Sequence, residues 1–146
     1  MVGKKGQIYQ EMQNKTCFLG CSKTKRKYPC KALDMYLGVF FKKSLYYAKR
    51  EYNNIYILSA KYGILELEQK ISPYDKYLGE MNKKEKKEWR AMIDRQLYEK
   101  NIKPPFVFLC GKDYCFSEGE QPLKGLGIGK ILSFFTEKNK NFKPII

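Results

Sequence analysis

Three short, unbroken apolar runs stand out from an otherwise polar, lysine-rich chain: Thr16-Cys17-Phe18-Leu19-Gly20, Ile55-Tyr56-Ile57-Leu58-Ser59 and Phe106-Val107-Phe108-Leu109-Cys110-Gly111. Runs of this length, rich in β-branched and aromatic residues and bounded by turn formers, predict strands covered on both faces. Between them apolar positions recur at intervals of three and four, the helical period. Asp34 predicts the cap of a helix reaching about Glu51, with Leu37, Phe40, Phe41, Leu45 and Ala48 on one face and Asn53-Asn54 as its break. Asn82 predicts the cap of a charged helix to about Lys100, carrying Trp89, Ile93 and Leu97, stopped by Lys103-Pro104-Pro105. A last helix runs from Lys130 to about Lys138. Residues 1–14 read as a flexible N-terminal arm, 21–31 as a polar loop and 60–80 as a long connection. The alternation predicts an α/β fold: one compact domain over 15–146, with a mostly parallel sheet flanked by helices. Ligands of such sheets bind beyond the carboxyl ends of the strands. The loops at Cys21, Lys61 and Gly111 would then meet at one edge.

Composition narrows what that edge meets. Twenty-nine Lys and Arg against fifteen Asp and Glu give a net charge of +14, a field that attracts polyanions, nucleic acid foremost. The length of 146 residues is enough for a real core without disulfides or metals. No apolar run approaches the roughly 20 residues of a membrane span, and Met1-Val2-Gly3-Lys4-Lys5-Gly6 has no secretory character. The expectation is a cytoplasmic protein without a membrane partner, with a monomer favoured. Five cysteines, at 17, 21, 30, 110 and 115, are an odd number in such a chain and read as reduced thiols. Their spacing does not support a zinc site, and no metal or cofactor is expected. The chain contains no histidine, which excludes Ser-His-Asp, Cys-His and His-metal mechanisms.

Candidate chemistry gathers where strands end. Cys21-Ser22-Lys23-Thr24-Lys25, past the first strand, sets a thiol, two hydroxyls and two amines on one loop, with Arg26 and Lys27 beyond. A lysine flanked by cations can lose its proton readily enough to attack a carbonyl or sugar carbon; the plain alternative is a solvated turn. Ser59-Ala60-Lys61-Tyr62-Gly63 and Ser72-Pro73-Tyr74-Asp75 follow the second strand. Aromatic rings beside cations suit a stacked base and its phosphate. A carboxylate such as Asp75 can steer water or support a cationic sugar, or simply close a turn after proline. Gly125, Gly127 and Gly129, with Lys130, would let main-chain N–H groups approach a phosphate at a helix start. That segment matches neither the P-loop nor the dinucleotide fingerprint.

Taken in order, Cys21-Ser22-x-x-Lys25, Leu58-Ser59-Ala60-Lys61-Tyr62-Gly63-x-Leu65, Ile71-x-Pro73-Tyr74-Asp75 and Pro122-Leu123-x-Gly125-Leu126-Gly127-Ile128-Gly129 resemble the YaaA-like superfamily. They are most similar to its short group of phage and bacterial domains, with Ser-Ala-Lys at residues 59–61 in place of Ser-Gly-Leu. The resemblance implies a compact α/β fold and DNA binding, with glycosylase or abasic-site lyase behaviour. On that expectation Asp75, Lys61 and Lys25 are the catalytic candidates. Cys21, Ser22, Ser59, Tyr62, Tyr74, Gly125, Gly127 and Gly129 would hold the substrate, and Lys23, Arg26, Lys27 and Lys130 the nucleic-acid backbone. Two alternatives stand beside a DNA glycosylase acting on a modified or damaged base. One is a non-catalytic DNA- or RNA-binding module. The other is an enzyme of free nucleotides or nucleosides in stress or phage–host conflict.

Overall fold

The computed structural model describes residues 14–140, so the expected N-terminal arm falls, except for Asn14, outside the described residues. Strand β1 (Thr16–Gly20) lies at the centre of a four-stranded sheet. Two short elements follow, β2 (Cys30–Lys31) and α1 (Ala32–Met35), and then the longer helix α2 (Val39–Glu51). Strand β3 (Asn54–Ser59) returns parallel to β1 and turns at once into β4 (Gly63–Glu66), its antiparallel neighbour. A two-residue strand β5 (Lys70–Ile71) pairs with β2, outside the main sheet. Helix α3 (Lys83–Glu99) leads to β6 (Phe106–Leu109), parallel to β1 on its other side, and helix α4 (Ile128–Asn139) closes the described chain. The sheet order is β4-β3-β1-β6. The α/β class and the mostly parallel sheet are therefore as expected.

Alternation along the strands divides the core in two. Cys17, Leu19, Ile57, Val107 and Leu109 face α2 and α4, packing with Phe41, Tyr47, Ala48 and Phe135. Phe18, Leu58, Phe106 and Phe108 point the other way, toward Trp89 and Ile93 of α3 and the ring of Tyr114. All five residues of β1 are buried, which is why that stretch reads as a continuous apolar run rather than an alternating one. On the outer side of β6, Glu120 takes two main-chain bonds: Phe108 N donates to its carbonyl (2.8 Å) and its own N donates to Phe106 (2.9 Å).

The helix expected from Asp34 is instead two helices. Tyr36 is extended (φ −93°, ψ 121°) and forms a bridge with Lys25, flanked by Arg26 N to Met35 O (2.9 Å) and Leu37 N to Thr24 O (2.9 Å). Pairing with the polar loop overrides the local helical period, leaving Leu37 outside both helices. Asp34 sits within α1, and Gly38 takes the N-cap position of α2 without a side-chain cap. The connection over 60–80 is also structured, holding β4, β5 and a 3-10 turn at Leu78–Glu80. Helix α3 starts as expected, with a reciprocal capping box between Asn82 and Glu85. Helix α4 starts two residues before Lys130. Among the described residues no helix is long and apolar enough to cross a membrane.

Candidate functional site

Three parallel strands deliver their carboxyl ends to one edge, with Gly20 level with Leu58 and Leu19 level with Leu109. Ser59, the last residue of β3, is the hub of that edge. It is fully buried, and its hydroxyl donates to the phenol of Tyr74 (2.8 Å) while accepting the amides of Lys61 (3.2 Å) and Tyr62 (3.0 Å). A serine hydroxyl has one proton and two lone pairs, so its capacity is filled. Ser59, expected as a substrate contact, here positions the loop through these bonds. Its carbonyl accepts the indole N–H of Trp89 (2.9 Å). Tyr74 in turn shares a 2.6 Å hydrogen bond with Tyr36. Burial, followed by the nearby Cys21, raises the phenols of both Tyr74 and Tyr36 above their ordinary range. Both therefore stay protonated at physiological pH.

The turn after Ser59 is built from α3. Gly63 has a left-handed backbone (φ 72°), and a Cβ there would collide with the Gln96 carboxamide. Gln96 accepts the amide of Ile64 (2.7 Å) and donates to the carbonyl of Tyr62 (2.9 Å), closing the β3–β4 connection from below. Tyr62 donates its hydroxyl to Ser72 O (3.1 Å), and its ring stands edge-on to Tyr74 at 5.4 Å.

Around this polar knot the cations lie over rings. Lys25 Nζ is 4.5 Å from the centre of the Tyr74 ring, Lys61 Nζ is 5.2 Å from that of Tyr62, and Lys23 Nζ is 4.6 Å from that of Tyr77. The first two pairs meet through the Tyr62–Tyr74 contact, so Lys25, Lys61, Tyr62 and Tyr74 form one surface. Asp75 is exposed and directly follows Tyr74. Ser22 is partly exposed; its hydroxyl donates to Thr24 O (2.9 Å) and accepts from Gly38 N (3.2 Å), so it also shapes its loop. Arg26 is anchored to Asp34 O (2.8 Å) and the Tyr28 hydroxyl (3.0 Å), whereas Lys27 is exposed.

At the third strand exit, Cys21 Sγ lies 3.3 Å from the Tyr114 hydroxyl, and the Tyr114 ring stands edge-on to Trp89 at 5.7 Å. Through Trp89 the exits of β1, β3 and β6 are tied together. Gly125, Gly127, Gly129 and Lys130 are not among the residues bonded into the tyrosine cluster. Gly125 borders a cavity of about 380 Å³ beyond β6, walled by Phe40, Phe108, Leu123 and Ile131 with Lys112 and Lys124 at its rim. Gly127 and Gly129 are exposed at the start of α4, with open space where a Cβ would stand.

Sequence reasoning missed Tyr36, Tyr77, Tyr114 and Gln96. Only Gln96 carried a local signal: it falls three residues after Ile93 on the Trp89–Ile93 stripe, where a polar side chain needs a buried partner. The described residues contain no group of three or more His, Cys, Asp or Glu able to hold a metal ion.

No curated protein and no solved structure matches the chain. A family model does match, over residues 16–137, a span that contains the whole sheet and all three strand exits. On that match the chain belongs to the Family of unknown function (DUF6884).

Proposed function

We propose that the chain binds DNA at the carboxyl edge of its sheet and removes a modified or damaged base there. The observation that carries the reading is the pairing of Lys23, Lys25 and Lys61 with the rings of Tyr77, Tyr74 and Tyr62 on the strand-end loops. Tyr77 is exposed and Tyr62 and Tyr74 are half-buried, and an ammonium over a ring at the surface is held by only about 0.5–1 kcal/mol. A phosphate can draw the lysine away, and the ring face it leaves takes a base. The net charge of +14 supports a polyanion over a neutral ligand. A base buried in a duplex has to leave the stack before its sugar bond can be cut, and Tyr62 and Tyr74 offer the platform for it. The reaction itself rests on the resemblance to the YaaA-like superfamily. In it Asp75 steers water or supports the cationic sugar, and Lys61 or Lys25 contacts phosphate or, in a lyase, attacks the sugar carbon.

Incubation with DNA carrying modified bases tests the hydrolytic branch: wild type releases free base and Asp75→Asn does not. Borohydride trapping on abasic DNA tests the lyase branch: a covalent adduct forms with wild type and is lost in Lys61→Ala or Lys25→Ala. Absence of both released base and adduct sinks the enzymatic reading.

A non-catalytic nucleic-acid-binding module is the second reading. It is favoured by the Ser59, Tyr74 and Tyr36 hydroxyls being bonded to one another, which spends the local nucleophiles on structure. On this reading affinity falls steeply with salt and Asp75→Asn changes nothing.

A further inference from the structure

Beyond the tyrosine cluster, two thiols flank the loop that leaves β6. Cys110 is the first residue past the strand and is buried; Cys115 follows the turn at Lys112–Tyr114 and is half-buried. Their sulfurs lie 3.9 Å apart. The other three cysteines are placed differently. Cys17 is buried in mid-sheet, where desolvation raises its thiol far above the ordinary range, Cys30 lies in β2, and Cys21 faces the Tyr114 hydroxyl.

The two sulfurs are unequal. The Cys110 hydrogen bond to Cys115 is the main cause holding Cys115 below the ordinary thiol range, and Lys124 adds to it against partial burial. The same bond, with burial, pushes Cys110 well above that range. The accessible thiol is thus the better thiolate, and the buried one waits beside it, the division of labour between an attacking and a resolving cysteine.

We propose that Cys110 and Cys115 form a reversible thiol–disulfide exchange site for low-molecular-weight disulfides. The Cys115 thiolate attacks one sulfur of the small disulfide, breaking its S–S bond, forming a mixed disulfide and expelling the first small thiolate. Cys110, giving its proton to solvent, then attacks the Cys115 sulfur and expels the second. Two protein thiols are oxidised to one disulfide, and one small disulfide is reduced to two thiols. The sulfurs must close by about 2 Å to reach bonding distance, and the space beside Gly111 is open. The bridge closes a ring around Tyr114, whose hydroxyl touches Cys21 (3.3 Å) and whose ring abuts Trp89 (5.7 Å). Trp89 holds the carbonyl of Ser59. Oxidation at β6 is therefore felt at the strand-end edge.

The full chain treated with glutathione disulfide provides the test. Free thiols fall from five to three, and the intact mass drops by two hydrogens. Cleavage after Lys112 leaves the two flanking peptides joined until reductant is added. Trp89 is the single tryptophan, so its emission changes with oxidation and recovers with dithiothreitol. Cys21→Ser keeps the bridge; Cys110→Ser stops at the mixed disulfide on Cys115; Cys115→Ser takes up neither. Five unreacted thiols in the native protein, a bridge between another pair, or wild type that stops at the mixed disulfide overturns the proposal. Wild-type mass and peptide mapping decide this even if a variant fails to fold.

Discussion

The loops leaving β3 and β6 begin at the same edge of the sheet, two residues apart in register, yet they are built in different ways. After β3 the side-chain polar atoms of Ser59 and Gln96 are committed: Ser59 to Tyr74, Lys61 and Tyr62, and Gln96 to Ile64 and Tyr62. Its glycine is forced, with φ 72° and no room for a Cβ. After β6 the chain passes Gly119, where a Cβ would collide with the carbonyl of Phe106, but Gly111, Gly125, Gly127 and Gly129 have open space where a Cβ would stand. One region is fixed by side-chain hydrogen bonds and crowding; the other is held by the main-chain bonds of Glu120 to β6 and by its apolar anchors, Leu123 and Phe135. Glycine therefore means two different things here. At 63 and 125 it satisfies a left-handed backbone (φ 72° and 78°), and at 127 and 129 it leaves main chain uncovered.

Substitution at the two kinds of glycine draws the contrast most sharply. Gly63→Ala combines a left-handed backbone with the loss of the Gln96 bonds and lowers stability by about 2–4 kcal/mol, read as a fall in the urea midpoint. An unchanged midpoint removes the claim that the β3 loop is over-determined. Ser59→Ala strands two amides and a phenol and costs about 1–3 kcal/mol by the same measurement; it also loosens Trp89, visible in emission.

Alkaline titration probes the knot another way. The Tyr74 and Tyr36 phenols are raised in the fold by burial, so above the ordinary phenol value of about 10 the unfolded chain gives up protons that the folded chain keeps. Their contribution is complete below that pH and is lost as pH rises toward the folded values, at up to about 1.4 kcal/mol per pH unit for each phenol. Tyr74→Phe flattens the slope of stability against pH above 10; an identical slope contradicts the burial argument. In the other region, Gly129→Ala sits at an exposed second position of α4 and raises stability by up to about 1 kcal/mol. Lys25→Ala and Lys61→Ala change the unfolding free energy by no more than about 0.5 kcal/mol. Each lowers the salt slope of DNA binding by about 1 if it meets a phosphate.

Legibility in the sequence follows the range of the forces involved. The three apolar strands and the Asn82 cap were readable because burial pattern and cap act over a few residues. The break at Tyr36 was not, because its cause is pairing with Lys25 across a loop. The same holds for Ser59. A hydroxyl at the end of an apolar strand looks reactive until Tyr74, fifteen residues on, is found to occupy it. The β3–β4 hairpin has a loop of residues 60–62, so the Asn-Gly or Asp-Gly pair of two-residue turns is not its signal. Its glycine suits the left-handed backbone, and the crowding by Gln96, thirty-three residues on, has no sign in the sequence. What the sequence offered at the candidate site was residue type, and what it withheld was which polar groups are already taken.

The two main-chain bonds that Glu120 makes along the outside of β6 have a consequence for behaviour at high concentration. An open border strand is a template on which further copies can add, one after another. Here a single-residue splint occupies the amide of Phe108 and the carbonyl of Phe106, its carboxylate paired with Lys15, so this border of the sheet offers an incoming strand fewer open main-chain groups.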